Sequence, residues 1–357
     1  MAADRARRAL TTIHRLARLA TAVALAATGA LVAAPAQAGP AACGLTITTS
    51  YTLRTDLRCS GTAIRVEVGP GQTVTLDLGR HSVVGDGTGT GVQVTTTGGG
   101  TVVVRNGLVR GFRTAVGGAG TLDLTLRNLT LRGNDEWLGQ GPLYPVTLTL
   151  ERSTVIDSGV GGGNNETRMV VRRSHFVRSG IDSTAQTYTN VYDSTFIGGG
   201  LRTGLSANVV AERNTFLRCD VGIAAADSWP ASPTTVRGNR FVGCRTGVEL
   251  RVTVAGGGAN AVTVAGNHFL GNTEEGLTFA VLAPFGQVDV VGNRATGNGG
   301  TGIAGQGAGV TTVARNTASR NGGHGIDVSG VVDGGGNAAR ANLTSPQCVG
   351  VACATGR

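Results

Sequence analysis

The segment Asn214-Thr215-Phe216-Leu217-Arg218-Cys219, closed by Gly222-Ile223, keeps returning along the chain. It comes back as Asn239-Arg240-Phe241-Val242-Gly243-Cys244 with Gly247-Val248, and as Asn267-His268-Phe269-Leu270-Gly271-Asn272 with Gly276-Leu277. Asn293 to Asn298 leads to Gly302-Ile303, and Asn316 to Asn321 leads to Gly325-Ile326. Toward the N-terminus, Ser194, Ser174, Ser153, Asn128 and Asn106 fill the same slot, giving ten copies spaced 20 to 28 residues apart. A repeat of this length is the mark of a solenoid.

Three residues before most anchors sits an apolar residue: Val103, Leu150, Val171, Val191, Val236, Val264, Val290 and Val313. Leu148, Met169, Val209, Val262 and Val288 continue the pattern two positions earlier, which is strand periodicity. Each unit therefore reads as a short strand, a turn at Asn or Ser, a second strand, a Gly turn and a third strand. One unit cannot cover its own apolar face, whereas a stack can. Units of 20 to 28 residues do not fit the strict six-residue period of a left-handed β-helix. The expected fold is all-β: a right-handed parallel β-helix of about ten or more coils with disulfide-bonded terminal caps. At a strand spacing of ~4.8 Å, ten coils make a rod on the order of 50 Å long.

The anchors suit the turns because Asn tolerates left-handed backbone angles and bonds nearby backbone groups. Stacked amides also bond one another. Asn272, Asn298 and Asn321 suggest a second ladder. Phe176, Phe196, Phe216, Phe241 and Phe269 share one slot, which reads as core.

The first 38 residues have the features of an export signal: Arg5, Arg7, Arg8, Arg15 and Arg18, an apolar run from Ala22 to Ala34, and Ala36-Gln37-Ala38 as a cleavage site. Cleavage near Ala38 would send the protein outside the cell. The run is too short to span a bilayer. The formal charge is +9. Removing the signal takes away five Arg and one Asp, leaving 26 basic and 21 acidic residues, or +5. Every basic residue is Arg and no basic run follows the signal, so no nucleic-acid partner is expected. The expected organisation is a signal at 1–38, a cap and first coil at 39–75, repeats at 76–336 and a closing cap at 337–357.

The six cysteines of an exported chain favour disulfides. Cys43 and Cys59 bracket the first cap, and Cys348 and Cys353 bracket a short hairpin-like segment at the end. Cys219 and Cys244 share a slot on adjacent coils, close enough to bridge; two reduced, buried thiols are the alternative.

At this point the chain resembles the secreted β-helix proteins of the pectin-lyase-like superfold in their actinobacterial, NosD-like form. The resemblance rests on Cys43-Gly44-x-Thr46, on Leu76 to Gly85, on Val104 to Phe112 and on Cys348 to Cys353. The family's usual Asn-Gly-His is Gly79-Arg80-His81 here. The resemblance implies the fold and export. Members include polysaccharide lyases, hydrolases, epimerases and proteins with no known activity, and fold alone does not choose among them.

Candidate sites are few. Gly323-His324-Gly325 is similar to a polygalacturonase signature, but the paired-Asp coil and the Arg-Ile-Lys that accompany it there are missing, so the repeat accounts for it. Gly322 to Asp327 fits a calcium turn only as a single copy. His81, His175 and His268 stand alone in their coils, so neither a metal nor a cofactor is expected. Arg105, Arg127, Arg152, Arg173, Arg213 and Arg315 precede anchors, while Glu151, Arg172, Tyr192, Glu212 and Arg237 form an outward column. That is either a solvated surface of ion pairs or an anion-binding strip.

The repeat lengthens at Asn134–Pro145, Ala224–Thr235, Arg251–Ala261 and Thr278–Gln287, all in the slot before the next Val strand. Same slot means same side of the rod. Trp137, Tyr144 and Trp229 lie there, and read as substrate-binding aromatics for a sugar face. Asp135, Glu136 and Asp227 lie there too, with Asp182 and Glu166 on intervening coils. A hydrolase would use two of Asp135, Glu136, Asp182 and Asp227, and a lyase would use Arg168 as base. The expected function is binding of an extracellular or cell-wall polysaccharide through this loop face, with cleavage by a lyase or hydrolase left open. The alternative is a non-catalytic rod of the envelope or matrix.

Overall fold

The computed structural model describes residues 42–139, 146–159, 167–183, 187–204, 208–227, 234–253, 261–282, 287–308 and 310–354. The expected signal, Tyr144, Glu166 and Trp229 lie outside the described residues.

The chain is an all-β parallel β-helix of about 11 turns. Every strand pairing among the described residues is parallel, and partners lie one coil apart: Leu124 with Leu148, Leu148 with Met169, Met169 with Thr189. Each coil contributes up to three strands, here called first, second and third face in the order after the loop. Arg168–Arg172, His175–Val177 and Ile181–Ser183 are one such coil.

Strict alternation drives the first face. Met169 and Val171 are buried while Arg168 and Arg172 are exposed, and the same pattern repeats at Val288 and Val290. The second face carries the phenylalanine column. Phe176, Phe196, Phe216, Phe241 and Phe269 are stacked with ring centroids 4.5, 4.8, 4.9 and 5.1 Å apart. All five are buried, so each contributes on the order of 1.5–3 kcal/mol by leaving water.

Two amide ladders close the corners. The Oδ1 atoms of Asn214, Asn239, Asn267, Asn293, Asn316 and Asn337 each accept the backbone N–H of the anchor one coil earlier at 2.8–3.0 Å. The expected second ladder exists and is longer, running Asn272, Asn298, Asn321, Asn342, where the Oε1 of Gln347 caps its end at 2.9 Å.

The left-handed residue is mostly not the anchor. Arg152, Arg173, Asp193, Arg213 and Arg315, each one position earlier, carry positive φ. Asn106 and Asn128 are left-handed themselves, at φ 60° and 51°, because they occupy that earlier slot. Arg127 pairs with Glu151, which puts Asn128 opposite Arg152 rather than Ser153. The sequence alignment of those two coils is therefore one residue out. Asn106 and Asn128 form a separate ladder with Asp77: Asn128 donates to Asn106 at 3.2 Å and Asn106 to Asp77 at 3.1 Å.

The three disulfides are Cys43–Cys59, Cys219–Cys244 and Cys348–Cys353. The middle one takes two slots of the second corner ladder, and Cys244 N–H donates to Asn272 Oδ1 at 3.0 Å. The disulfide-bonded ends are themselves coiled. Leu45–Ile47 already pairs with Ile64–Val68. The closing segment is no hairpin: Cys348–Val349 extends the third face and Cys353–Ala354 the second.

Candidate functional site

The expected insert side of the rod is partly strand. Glu136–Gly139, Val221–Asp227, Thr246–Val252 and Leu277–Val281 all belong to the third face. This places the candidate residues differently from the expectation. Trp137 is fully buried and cannot stack on a sugar. Its ring packs edge-on against Phe176 at 6.0 Å, and its indole N–H donates to the Gly180 carbonyl. The reason is its slot: with Leu138 opposite Val116, Trp137 lies opposite Ala115, in the position that Gly180 and Gly200 hold before their inward Ile181 and Leu201. It is a large core residue where other coils have Gly or Ala.

Asp135 is exposed and Glu136 half-buried, on the coil of Trp137. The Cα of Asp227 pairs with that of Val252. Arg168 is exposed on the first face, paired with Tyr188, and so stands on a different face from Asp182.

Asp182 lies in a cleft of about 370 Å³, where the second corner meets the third face. Its floor comes from small residues on successive coils: Ser158-Gly159, Ser179-Gly180 and Gly198-Gly199-Gly200. These glycines let the coils approach. A side chain at Gly199 would run into the Ser179 carbonyl, and one at Gly200 into that of Val221. The rim carries Arg178, Asp182, Arg202 and Asp220.

The rim charges divide into two kinds. Arg178 donates to Asp157 at 2.7 Å, and this hydrogen bond holds the Asp157 carboxyl below its ordinary value. Arg245 donates to both Asp220 and Glu274 at 2.6 Å, first Asp220 and then Glu274 raising its own pKa. Asp182 and Arg202 are register partners on adjacent strands, and neither forms an ion pair among the described residues. An acceptor and a donor with no prior partner, above a floor of backbone, can bond hydroxyls of a flat ligand. Sequence reasoning had Asp182 but missed Arg202 and the glycine floor; the run Gly198-Gly199-Gly200 was the available signal.

Surface ion pairs account for much of the outward arginine column. Arg127 and Arg152 approach Glu151 at 3.6 and 3.7 Å, Arg213 reaches Glu212 at 3.1 Å, and Arg172 lies 5.5 Å over the Tyr192 ring. Among the described residues, no helix is long and apolar enough to cross a membrane.

Comparison with known proteins places the fold. The chain is similar to the crystal structure of a double mutant of the periplasmic alginate epimerase AlgG, with TM-score 0.51 and 14% identity over 82% of this chain and 77% of that one. It is also similar to the catalytic unit of a thermostable α-1,3-glucanase from Streptomyces thermodiastaticus (TM-score 0.39, 15% identity, 82% and 62% covered). Tailspike protein 3 of bacteriophage CBA120 matches at TM-score 0.44 and 14% identity, over 85% of this chain and 52% of that one. No protein-family model and no curated protein matches the sequence. At such identities the likeness establishes a parallel β-helix and nothing finer.

Proposed function

We propose that this is an exported β-helix protein, of the secreted NosD-like group that its sequence resembles, which binds an extracellular or cell-wall polysaccharide in the third-face cleft. The observation that carries the reading is the cleft itself: a glycine floor about three coils long, bearing Asp182 and Arg202, which form no ion pair among the described residues. A cleft lined by successive coils suits a chain of sugars better than a compact molecule. The epimerase of similar fold is named for alginate, a polysaccharide. Three disulfides agree with an oxidising compartment.

Binding is favoured over cutting. Hydrolysis needs two carboxyl groups free to exchange protons or attack. Among the described residues of this cleft Asp220 is held by Arg245, which leaves Asp182 as the free carboxylate.

The test is a panel of purified polysaccharides, with retention measured alongside the release of reducing ends and the absorbance of unsaturated products. Retention of one glycan, lost in Asp182→Asn and in Arg202→Gln without change in the unfolding midpoint, is the expected result. A parent protein that retains no glycan would make the inert rod the better account. Release of reducing ends that Asp182→Asn abolishes would turn the cleft into an active site.

A further inference from the structure

One residue past the buried Asn of three consecutive coils stand Arg240, His268 and Arg294. They are register partners on the second face, Arg240 with His268 and His268 with Arg294, and all three are exposed. At the parallel-strand spacing of about 4.8 Å, the two arginine Cα atoms lie about 10 Å apart with the histidine midway. Phe269, Leu270 and Thr296 complete a shallow concavity of about 230 Å³ beside them. Leu270 is 38% exposed there. His268, which stands alone in its own coil, is flanked by basic residues once the coils are stacked.

This row is entirely basic or neutral along three coils. Several arginines elsewhere are matched across coils: Arg105 with Asp77, Arg178 with Asp157, Arg213 with Asp193, Arg245 with Asp220 and Glu274. Among the described residues Arg240 and Arg294 have no such partner. The segments that make this face, 237–244, 265–272 and 291–298, contain no Asp or Glu. Arg240 and Arg294 carry like charges two strands apart with no carboxylate between them. The fold does not require them, since the same outward slot holds Thr195 and Thr215 in the coils before and Thr317 in the coil after. An anion laid along the row would gain charge-assisted hydrogen bonds from both guanidinium groups.

We propose that Arg240, His268 and Arg294 form a second binding site, separate from the third-face cleft, for the oxyanion groups of an acidic polysaccharide. The donors run along the axis at one per strand, which matches charged groups repeating along a polymer rather than a single ion. The exposed Leu270 offers an apolar strip to the C–H face of a sugar. Nucleic acid is a poorer fit, because the aromatics of this face, Phe241 and Phe269, are buried and present no ring for a base to stack on. Carboxylate, sulfate and phosphate share the required chemistry. The site does not depend on the cleft being a glycan site.

The experiment uses the full exported chain and measures binding to polygalacturonate, dextran sulfate, uncharged dextran and single-stranded DNA at two salt concentrations. The parent is expected to bind at least one charged polysaccharide, more weakly at high salt, and to bind dextran far less through this site. Arg240→Gln with Arg294→Gln should weaken that binding at least about tenfold. Arg54→Gln with Arg65→Gln, the same charge change at two exposed positions toward the N-terminus, should stay within about twofold of the parent. Which charged polymer binds tighter identifies the preferred oxyanion. The proposal is overturned if the variant of Arg240 and Arg294 binds as the parent does while its circular dichroism is unchanged. It is equally overturned if Arg54→Gln with Arg65→Gln weakens binding as much, or if DNA binds as tightly as the best polysaccharide and responds to the variant of Arg240 and Arg294.

Discussion

The indole N–H of Trp137 donates to the backbone carbonyl of Gly180, 3.1 Å away and 43 residues further along the chain. The indole thereby ties its own coil to a later one and closes the end of the phenylalanine column through Phe176. Trp137→Ala should cost about 3–5 kcal/mol, as for other large buried aromatics. Trp137→Phe should cost less, losing the hydrogen bond and part of the volume. Urea unfolding of the two variants checks this, and an unchanged midpoint for Trp137→Ala would contradict the core assignment.

Asn267 is fully buried and its amide makes four hydrogen bonds. Nδ2 donates to the Val236 carbonyl and to Asn293 Oδ1, while Oδ1 accepts from the backbone and side-chain N–H groups of Asn239. Asn267→Leu leaves these groups unsatisfied in the core, at about 3 kcal/mol or more in total. Asn128→Gly is the contrast. Asn128 is exposed with φ 51°, so glycine relieves the backbone while one amide contact is lost, and the net change should stay within about 0.5 kcal/mol. Thermal unfolding of both variants separates a ladder that holds the stack from one that decorates it.

The Cys219–Cys244 bridge closes a loop with a sequence separation of 25. The chain-entropy account gives such a loop about 3 kcal/mol. The pair Cys219→Ala and Cys244→Ala should lose about that much. The pair Cys219→Asn and Cys244→Asn should lose less, because Cys244 already receives the Oδ1 of Asn272 on its N–H and the ladder can continue. Chemical denaturation of the two double variants is the measurement.

Acid should loosen the rod. Asp157 and Asp193 are held below their ordinary pKa, first by hydrogen bonds from Arg178 and Arg213. Asp333 is lowered by the backbone N–H groups of Ala352 and Gly335. For Asp77, burial pushes the pKa up, but the Gly79 N–H, Asn106 and Arg105 together bring it down. A carboxylate with a depressed folded-state pKa contributes stability that is fully present above its unfolded value and is lost as pH falls through the folded one. The melting temperature should therefore hold near neutrality and fall as pH drops below about 4. Melting curves between pH 7 and pH 2 test this, and Asp77→Asn should flatten the acid limb.

Much of the architecture was legible because it is written in short-range patterns. Period-two apolarity marks the strands, and one slot in successive units names the Phe column, the anchor Asn residues and the cysteine partners. A stack repeats its neighbours, so residues in one slot meet in space. The reading slipped where the coil length changed. Asn106 and Asn128 look like anchors, yet backbone pairing of Arg127 with Glu151 sets them one position earlier. Trp137 looked like a loop aromatic because its coil lacks the Gly-Ile pair that flags the third strand elsewhere.

By itself, then, the sequence determined that the chain is a parallel β-helix, which residues of the repeating slots face inward and which cysteines stand close enough to bridge, since each follows from local periodicity and from identity of slot. Only the tertiary structure decided what meets across the outside of the rod. The cleft of Asp182 and Arg202 over Gly198–Gly200, the row of Arg240, His268 and Arg294, and the burial of Trp137 all depend on register between segments 20 or more residues apart. That register is fixed by backbone hydrogen bonds between coils of unequal length. Outward side chains, unlike the core, carry no apolar pattern from which it can be counted.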